Sequence, residues 1–291
     1  MSRMTKPDLN LFTQHSRNWR DNRYVYPVIS RRSRGLSVGV NLNPDKVCNF
    51  DCIYCCVDRG TPAAIRHVDL NLLRNELDHT LRLAASGEIF ASDPFDRTPP
   101  ELRRLNDIAF SGDGEPTSFP GFPEACRIAG ELLAGLNLPQ AKIVLITNAT
   151  LLHRPAVRQA LAYLDSHNGE IWAKLDAGTE EYYRQVERTT IPLLRVLDNI
   201  ASAGRIRPIV IQSLFMTIQG QGPDQAEIAA YIQRLGELLN RGCRIRLVQV
   251  YTTARQTVES YVAPLADSAL DAIAQQVRKL GLPAETFYGP G

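Results

Sequence analysis

With 291 residues, 44% apolar and 22% charged, the chain can bury a large core, as one big domain or two modest ones. Its first twenty residues contain no apolar run long enough for a signal peptide, and nowhere do about 18 apolar residues follow one another, so a membrane span is not expected and the cytoplasm is the expected compartment. The net charge of +2 is close to neutral, but its distribution is uneven.

Residues 1 to 47 carry nine Lys or Arg against three acidic residues. We read residues 1–35 as a basic N-terminal arm, a candidate contact for nucleic acid or a phosphorylated substrate, ahead of a single domain at 36–291. The first strand-like run is LSVGVNL, 36–42. The cysteine-rich VCNFDCIYCC, 47–56, follows it, and an amphipathic stretch at 69–85 predicts a helix. Residues 87–106 form the one long irregular insertion, and its prolines mark it as exposed or flanking a site.

Beyond it the chain alternates. Strand-like runs at 107–111, 142–147, 170–176, 208–217 and 244–251 are separated or followed by helix-like stretches at 123–135, 154–166, 223–241 and 267–281. Several of the helical stretches begin at Asp or Pro and end near Gly, as helix boundaries should. Six strands alternating with helices imply an α/β fold with a parallel sheet wound right-handed and covered by helices. No linker divides it.

Polar residues gather after these runs. The cysteines follow the first strand, SGDGEPT the second, and Thr147 with Asn148 the third. The fourth ends in Lys174 and Asp176, the fifth carries Gln212 and Ser213, and the sixth carries Gln249 and Tyr251. Carboxyl ends of parallel strands are where ligand sites form, so these residues should converge on one pocket.

Four of the six cysteines lie in that loop. A disulfide staple is unexpected in a reducing compartment, and Cys126 and Cys243 read as small packed hydrophobes. Cys48, Cys52 and Cys55 have the spacing C-x3-C-x2-C, with Cys56 following directly. A structural zinc site wants a second pair of ligands, which is missing here, and Cys56 is a poor fourth ligand beside Cys55. Three thiolates on four irons would leave one iron open to a ligand.

CNFDCIYC resembles the signature of the radical S-adenosylmethionine (SAM) superfamily. The resemblance implies a partial (β/α)6 TIM-like barrel and a 4Fe-4S cluster held by Cys48, Cys52 and Cys55, whose free iron binds the methionine end of SAM. It places Tyr54 near the adenine, with loop packing as the plainer reading. SGDGEP resembles the glycine-rich motif that holds the methionine amino group, but Asp113 between Gly112 and Gly114 departs from the usual pattern, leaving Glu115 as the surest match. A tight turn stabilised by Asp113 is the alternative. Asn148 is equally suited to bonding SAM or capping a turn. Lys174 and Asp176 share one strand face and match the region that touches the SAM carboxylate and ribose, with a structural salt bridge as the rival.

The activity so implied is reductive cleavage of SAM to a 5′-deoxyadenosyl radical that abstracts hydrogen from a substrate, with reduced ferredoxin or flavodoxin as electron donor. Within the superfamily, residues 24–260 look most like the wyosine-synthase-related branch, which makes a tRNA nucleoside a candidate substrate. Two departures are plain: no cysteine precedes Cys48, and none follows residue 251. A non-catalytic 4Fe-4S protein for electron transfer or redox sensing is the alternative; it would have no use for Glu115 and the Lys174–Asp176 pair.

Overall fold

The computed structural model describes residues 19–289; the first eighteen residues of the basic arm lie outside them. The strand-like runs assemble into one eight-stranded mixed sheet. Its strands are Val25–Ser30 (β1), Gly35–Val40 (β2), Leu105–Phe110 (β3), Lys142–Thr147 (β4), Gly169–Lys174 (β5), Ile209–Leu214 (β6), Ile245–Tyr251 (β8) and Ala284–Phe287 (β10). Met216–Ile218 (β7) and Val262–Pro264 (β9) form a separate antiparallel pair. From β2 through β6 and on to β8 and β10, every neighbouring pair in the large sheet is parallel; only β1 runs antiparallel, against β2. The sheet curls into a half-barrel, the expected partial barrel with an added strand at each edge.

Side chains alternate across it with the two-residue period of a strand. Ile108, Phe110, Ile143, Leu145, Ile209 and Ile211 enter the main core with the covering helices, while Ala109, Val144, Trp172 and Val210 form a small cluster on the inner face. The helices are Leu70–Ser86 (α1), Phe122–Gly135 (α2), Pro155–Asp165 (α3), Glu180–Glu187 (α4), Leu193–Ile206 (α5), Gln225–Asn240 (α6) and Asp267–Lys279 (α7). Asp69 caps α1 and Asp224 caps α6, each accepting backbone N–H bonds of the first turn. Among the described residues no helix is long and apolar enough to cross a membrane. Cys126 and Cys243 are buried in the main core, as packing residues should be.

Several features differ from the sequence reading, the edge strand β10 and the β7–β9 pair among them. β1 rises from the basic segment and was hidden there by the surrounding arginines. Helices α4 and α5 lie outside the sequence reading: α4 is a short, charged octapeptide with only Tyr183 and Val186 as buried apolar residues, whereas α5 is longer and plainly amphipathic. The insertion at 87–106 is folded into three short 3-10 turns, and Ile89, Phe90, Phe95 and Leu102 bury against Trp19, Tyr26, Val28 and Leu36. That packing, together with one carboxylate, fixes the β1 edge.

Glu76 of α1 is buried and accepts three successive backbone N–H groups, from Arg23 at 2.8 Å, Tyr24 at 2.9 Å and Val25 at 3.2 Å. No strand partner is available to these groups at the start of β1, so the carboxylate satisfies them. Glu76→Ala leaves them unpaired. Urea unfolding is expected to show a loss of about 3 kcal/mol, and an unchanged midpoint would contradict this anchoring.

Candidate functional site

The cysteine loop has no regular structure, so its backbone groups need other partners. Asp51 and Ile53 donate their N–H groups to the carbonyls of Glu187 and Val186, at 3.0 and 2.9 Å, which docks the loop on the end of α4. Cys55 N–H closes a turn on the Cys52 carbonyl at 2.9 Å, and Val258 N–H reaches the Cys55 carbonyl at 3.1 Å. Phe50 packs edge-on against Tyr183 of α4, and Ile53 and Tyr54 join Val186, Leu214 and Met216 in a small apolar cluster. The four thiols are half-buried and form no disulfide.

SGDGEPT runs from the end of β3 and lies directly against this loop. A Cβ on Gly114 would overlap the carbonyl oxygen of Val47, and one on Gly112 would overlap the Asn41 amide. Both glycines are therefore required for close approach of two backbones. Asn41 holds the turn by donating to the Asp113 carboxylate at 2.6 Å while accepting from Asp113 N–H at 3.1 Å.

Glu115 is buried and its Oε1 accepts from Thr147 Oγ1 at 2.6 Å and from both the N–H and the hydroxyl of Thr117. Oε2 accepts one bond among the described residues, from Asn148 N–H at 2.8 Å. Burial raises the Glu115 pKa, with these hydrogen bonds pulling in the other direction. Asn148 is also committed: its amide donates to Asn49 of the cysteine loop at 2.7 Å and accepts from Thr150 at 2.7 Å. Its side chain caps the turn at Thr150, one of its two sequence readings, and it also lines the cavity described below.

A second group of charges forms across β5. Lys174 pairs with Asp176 at 2.9 Å and donates to the Tyr251 hydroxyl at 3.1 Å; its ammonium lies 4.5 Å from the centre of the Tyr54 ring. Asp176 has a side chain wholly shielded from solvent and also accepts from the Tyr54 hydroxyl at 2.5 Å and from Leu214 N–H at 2.7 Å. Burial opposes the charge on Lys174, but Asp176, then Tyr251 and Glu187, outweigh it and hold its pKa well above the ordinary range. Glu187 lies beside this pair and accepts the Cys52 thiol at 2.6 Å; burial, then Asp176, pushes its carboxyl well up.

These groups surround one cavity of about 330 Å³. The four clustered cysteines, Tyr54, Gly112, Gly114, Glu115, Thr147, Asn148, Lys174, Gln212 and Tyr251 all line it. Asp176 does not line it and acts through Lys174 and Tyr54; Gln249 bonds Gln212 at 2.7 Å, and Ser213 pairs with Tyr231 in the opposite direction. Sequence reasoning missed Asn41, Asn49, Glu187 and Arg59. Arg59 follows the last cysteine closely and donates to Cys55 Sγ at 3.1 Å and to the Asp113 carbonyl at 3.2 Å. A guanidinium four residues beyond a candidate thiolate was the available signal; Glu187 gave none.

Burial pushes the Cys48 thiol up, and burial with Glu187 pushes Cys52 well up, so both hold their protons in the ligand-free chain. A bound metal acts in the opposite sense, because coordination deprotonates a thiol. Among the described residues no three His, Cys, Asp or Glu side chains converge on a point suited to a single ion. A four-iron cluster would take one thiolate on each of three irons, and three cysteines on one loop, none in a disulfide, suit that demand.

The profile of the Radical SAM superfamily matches residues 42–232. A curated relative, a UPF0026 protein of Helicobacter pylori, is 28% identical over 62% of this chain and 51% of its own length. The chain spans about half the length of the curated relatives it matches. Among solved structures, a radical SAM methyltransferase from Sphaerobacter thermophilus aligns with a TM-score of 0.62 at 14% identity, covering 92% of this chain and 70% of that one. TYW1 with a lysine–pyruvate adduct bound aligns with a TM-score of 0.51 at 14% identity, covering 85% and 74%. Both likenesses are of fold.

Two outcomes are expected from this geometry. Gly114→Ala should push the cysteine loop away from the β3 turn, so iron retained after anaerobic reconstitution should fall severalfold while the far-ultraviolet circular dichroism is unchanged; full iron loading would contradict the close approach. Asp107, buried on the cavity wall beside Ser37, has its pKa raised to about 6, chiefly by burial. The folded state then binds this proton more tightly than the unfolded chain, so stability falls as pH rises from about 4 to about 6 and the penalty is complete above that. Asp107→Asn should remove that penalty and stabilise the protein at pH 7.5 by on the order of 2 kcal/mol, with little effect at pH 4. A loss of stability at both pH values would contradict it.

Proposed function

The chain belongs to the Radical SAM superfamily, whose members use a 4Fe-4S cluster and S-adenosylmethionine, and from that premise we propose that it is an enzyme that cleaves SAM reductively in the cavity at the carboxyl edge of its sheet. The observation that carries this reading is the meeting of Cys48, Cys52 and Cys55 with Glu115 and Lys174 around one cavity. When bound, the cluster and SAM supply a one-electron reduction and a 5′-deoxyadenosyl radical that removes hydrogen from a substrate. Reduced ferredoxin or flavodoxin is the donor class in this reading.

The chain's own groups have separable tasks. Cys48, Cys52 and Cys55 would hold the irons, and Arg59 places a cationic N–H donor on Cys55 Sγ, which would stabilise negative charge on that sulfur. Glu115 Oε2 keeps acceptor capacity for the methionine ammonium, while Oε1 is spent on fixing the frame. Lys174 uses two of its three donors on Asp176 and Tyr251, leaving one for the methionine carboxylate. The backbone of Gly112–Gly114 offers close approach, and the Tyr54 ring, steadied by Asp176, contributes a wall for the adenine. Asn148 and Asp176 are positioning residues.

A simple electron carrier has no need of a cavity lined by Glu115 and Lys174, which favours catalysis. The shared fold with a methyltransferase and with TYW1 carries neither reaction nor substrate to this chain at 14% identity.

Reconstitution with iron and sulfide, followed by dithionite and SAM, should yield 5′-deoxyadenosine. Cys48→Ala, Cys52→Ala and Cys55→Ala should each lose both the cluster absorbance and the product, whereas Cys56→Ala should retain both. A fully loaded protein that forms no 5′-deoxyadenosine would sink the assignment.

A further inference from the structure

Besides Lys174, three arginines line the cavity: Arg31 and Arg32 from the β1–β2 turn, and Arg255 from the segment after β8. The turn lies where the curled sheet brings its two free edges together. Arg31 donates to the carbonyl of Tyr288, just beyond β10, and Arg34 pairs with Glu285 of β10 at 3.1 Å. These contacts connect β1 to β10 across the open side of the half-barrel.

Lys174 has its carboxylate in Asp176, but among the described residues none of the three arginines makes an ion pair. The Arg32 guanidinium lies 4.8 Å from the centre of the Tyr251 ring and 5.9 Å from that of Trp172, so it reaches over the aromatic wall of the cavity. Arg32 and Arg255 have no hydrogen-bond partner among the described residues, although both are only partly exposed. The two carboxylates on the cavity wall are engaged elsewhere: Glu115 with the loops, and Asp107 with the Ser37 hydroxyl. Burial, then Arg32 and Arg255, lowers the Arg31 pKa to about 10.

Crowded, unpaired guanidinium groups inside a cavity repel one another unless a ligand's charge offsets them. We propose that Arg31, Arg32 and Arg255 form the receptor for a phosphate group on the substrate. One carboxylate needs a single guanidinium fork, whereas a phosphate offers oxygens in several directions and up to two negative charges, which suits three donors from two segments. The inference rests on the cavity being the reaction chamber described above and names the class of molecule that enters it: a phosphate ester, on a small molecule or on a nucleotide chain.

The test is calorimetric titration of the reconstituted full chain with ribose 5-phosphate and with ribose, without SAM or reductant. Binding of ribose 5-phosphate, competition by inorganic phosphate and absence of binding by ribose are expected. The double variant R32Q/R255Q should bind ribose 5-phosphate about tenfold or more weakly while its iron content stays at the wild-type level. A short single-stranded RNA that displaces ribose 5-phosphate would support the proposal with a nucleotide chain as the source; failure to displace it would support a small phosphorylated substrate. Equal binding of ribose and ribose 5-phosphate, succinate binding as tightly as the phosphate ester, or unchanged affinity in the double variant would each overturn it. Because SAM cleavage plays no part in the readout, its failure would count against the proposed enzyme activity and leave phosphate recognition to stand or fall separately.

Discussion

The hydrogen bonds around Glu115 are the constraint on which the carboxyl edge depends. A carboxylate buried among strand ends is costly unless its oxygens are satisfied, and Glu115 recovers that cost by bonding Thr117, Thr147 and Asn148. In doing so it fastens the loop after β3 to the loop after β4. Asn148 passes the connection on to Asn49, and the Gly114 backbone lies against Val47, so the cysteine loop is held from two sides. A loop without regular structure thus presents its thiols from a rigid support.

A second fastening acts from α4 and β5. Glu187 and Val186 hold the loop's backbone, while Asp176 gathers Lys174, Tyr54 and the backbone of β6. Lys174 and Asp176 were open to two sequence readings, a ligand contact or a structural bridge, and the geometry divides them: the bridge exists, but only Lys174 lines the cavity. Arg32 of the β1–β2 turn lies over the same Tyr251 ring that Lys174 bonds, and Arg31 and Arg255 also line the cavity. The cavity thus gathers thiols, carboxylates, an ammonium and three guanidinium groups from several separate loops and strand ends.

Much of this was legible because it is local. Period-two runs located six parallel strands to within three residues at either end, and polar residues at their carboxyl ends pointed to one pocket, where Cys48, Glu115, Lys174 and Tyr251 do meet. What escaped depends on long-range closure. Glu187 sits at the end of a short charged helix and becomes part of the site only when α4 docks under the cysteine loop. Arg31 and Arg32 read as part of a basic arm offered to nucleic acid or a phosphorylated substrate; that they face the cavity follows from the curl of the sheet, a consequence of accumulated twist that no local pattern records. Asn41 and Asn49 resemble ordinary loop residues until their partners 72 and 99 positions away arrive.

The central claim is that three cysteines hold a cluster with one iron left for SAM. Mössbauer spectroscopy of the protein reconstituted with iron-57 and sulfide, recorded before and after adding SAM, tests it most directly. The account predicts a 4Fe-4S spectrum in which one iron of the four changes its parameters when SAM is added. A spectrum without a four-iron cluster, or four irons unaffected by saturating SAM, would contradict it.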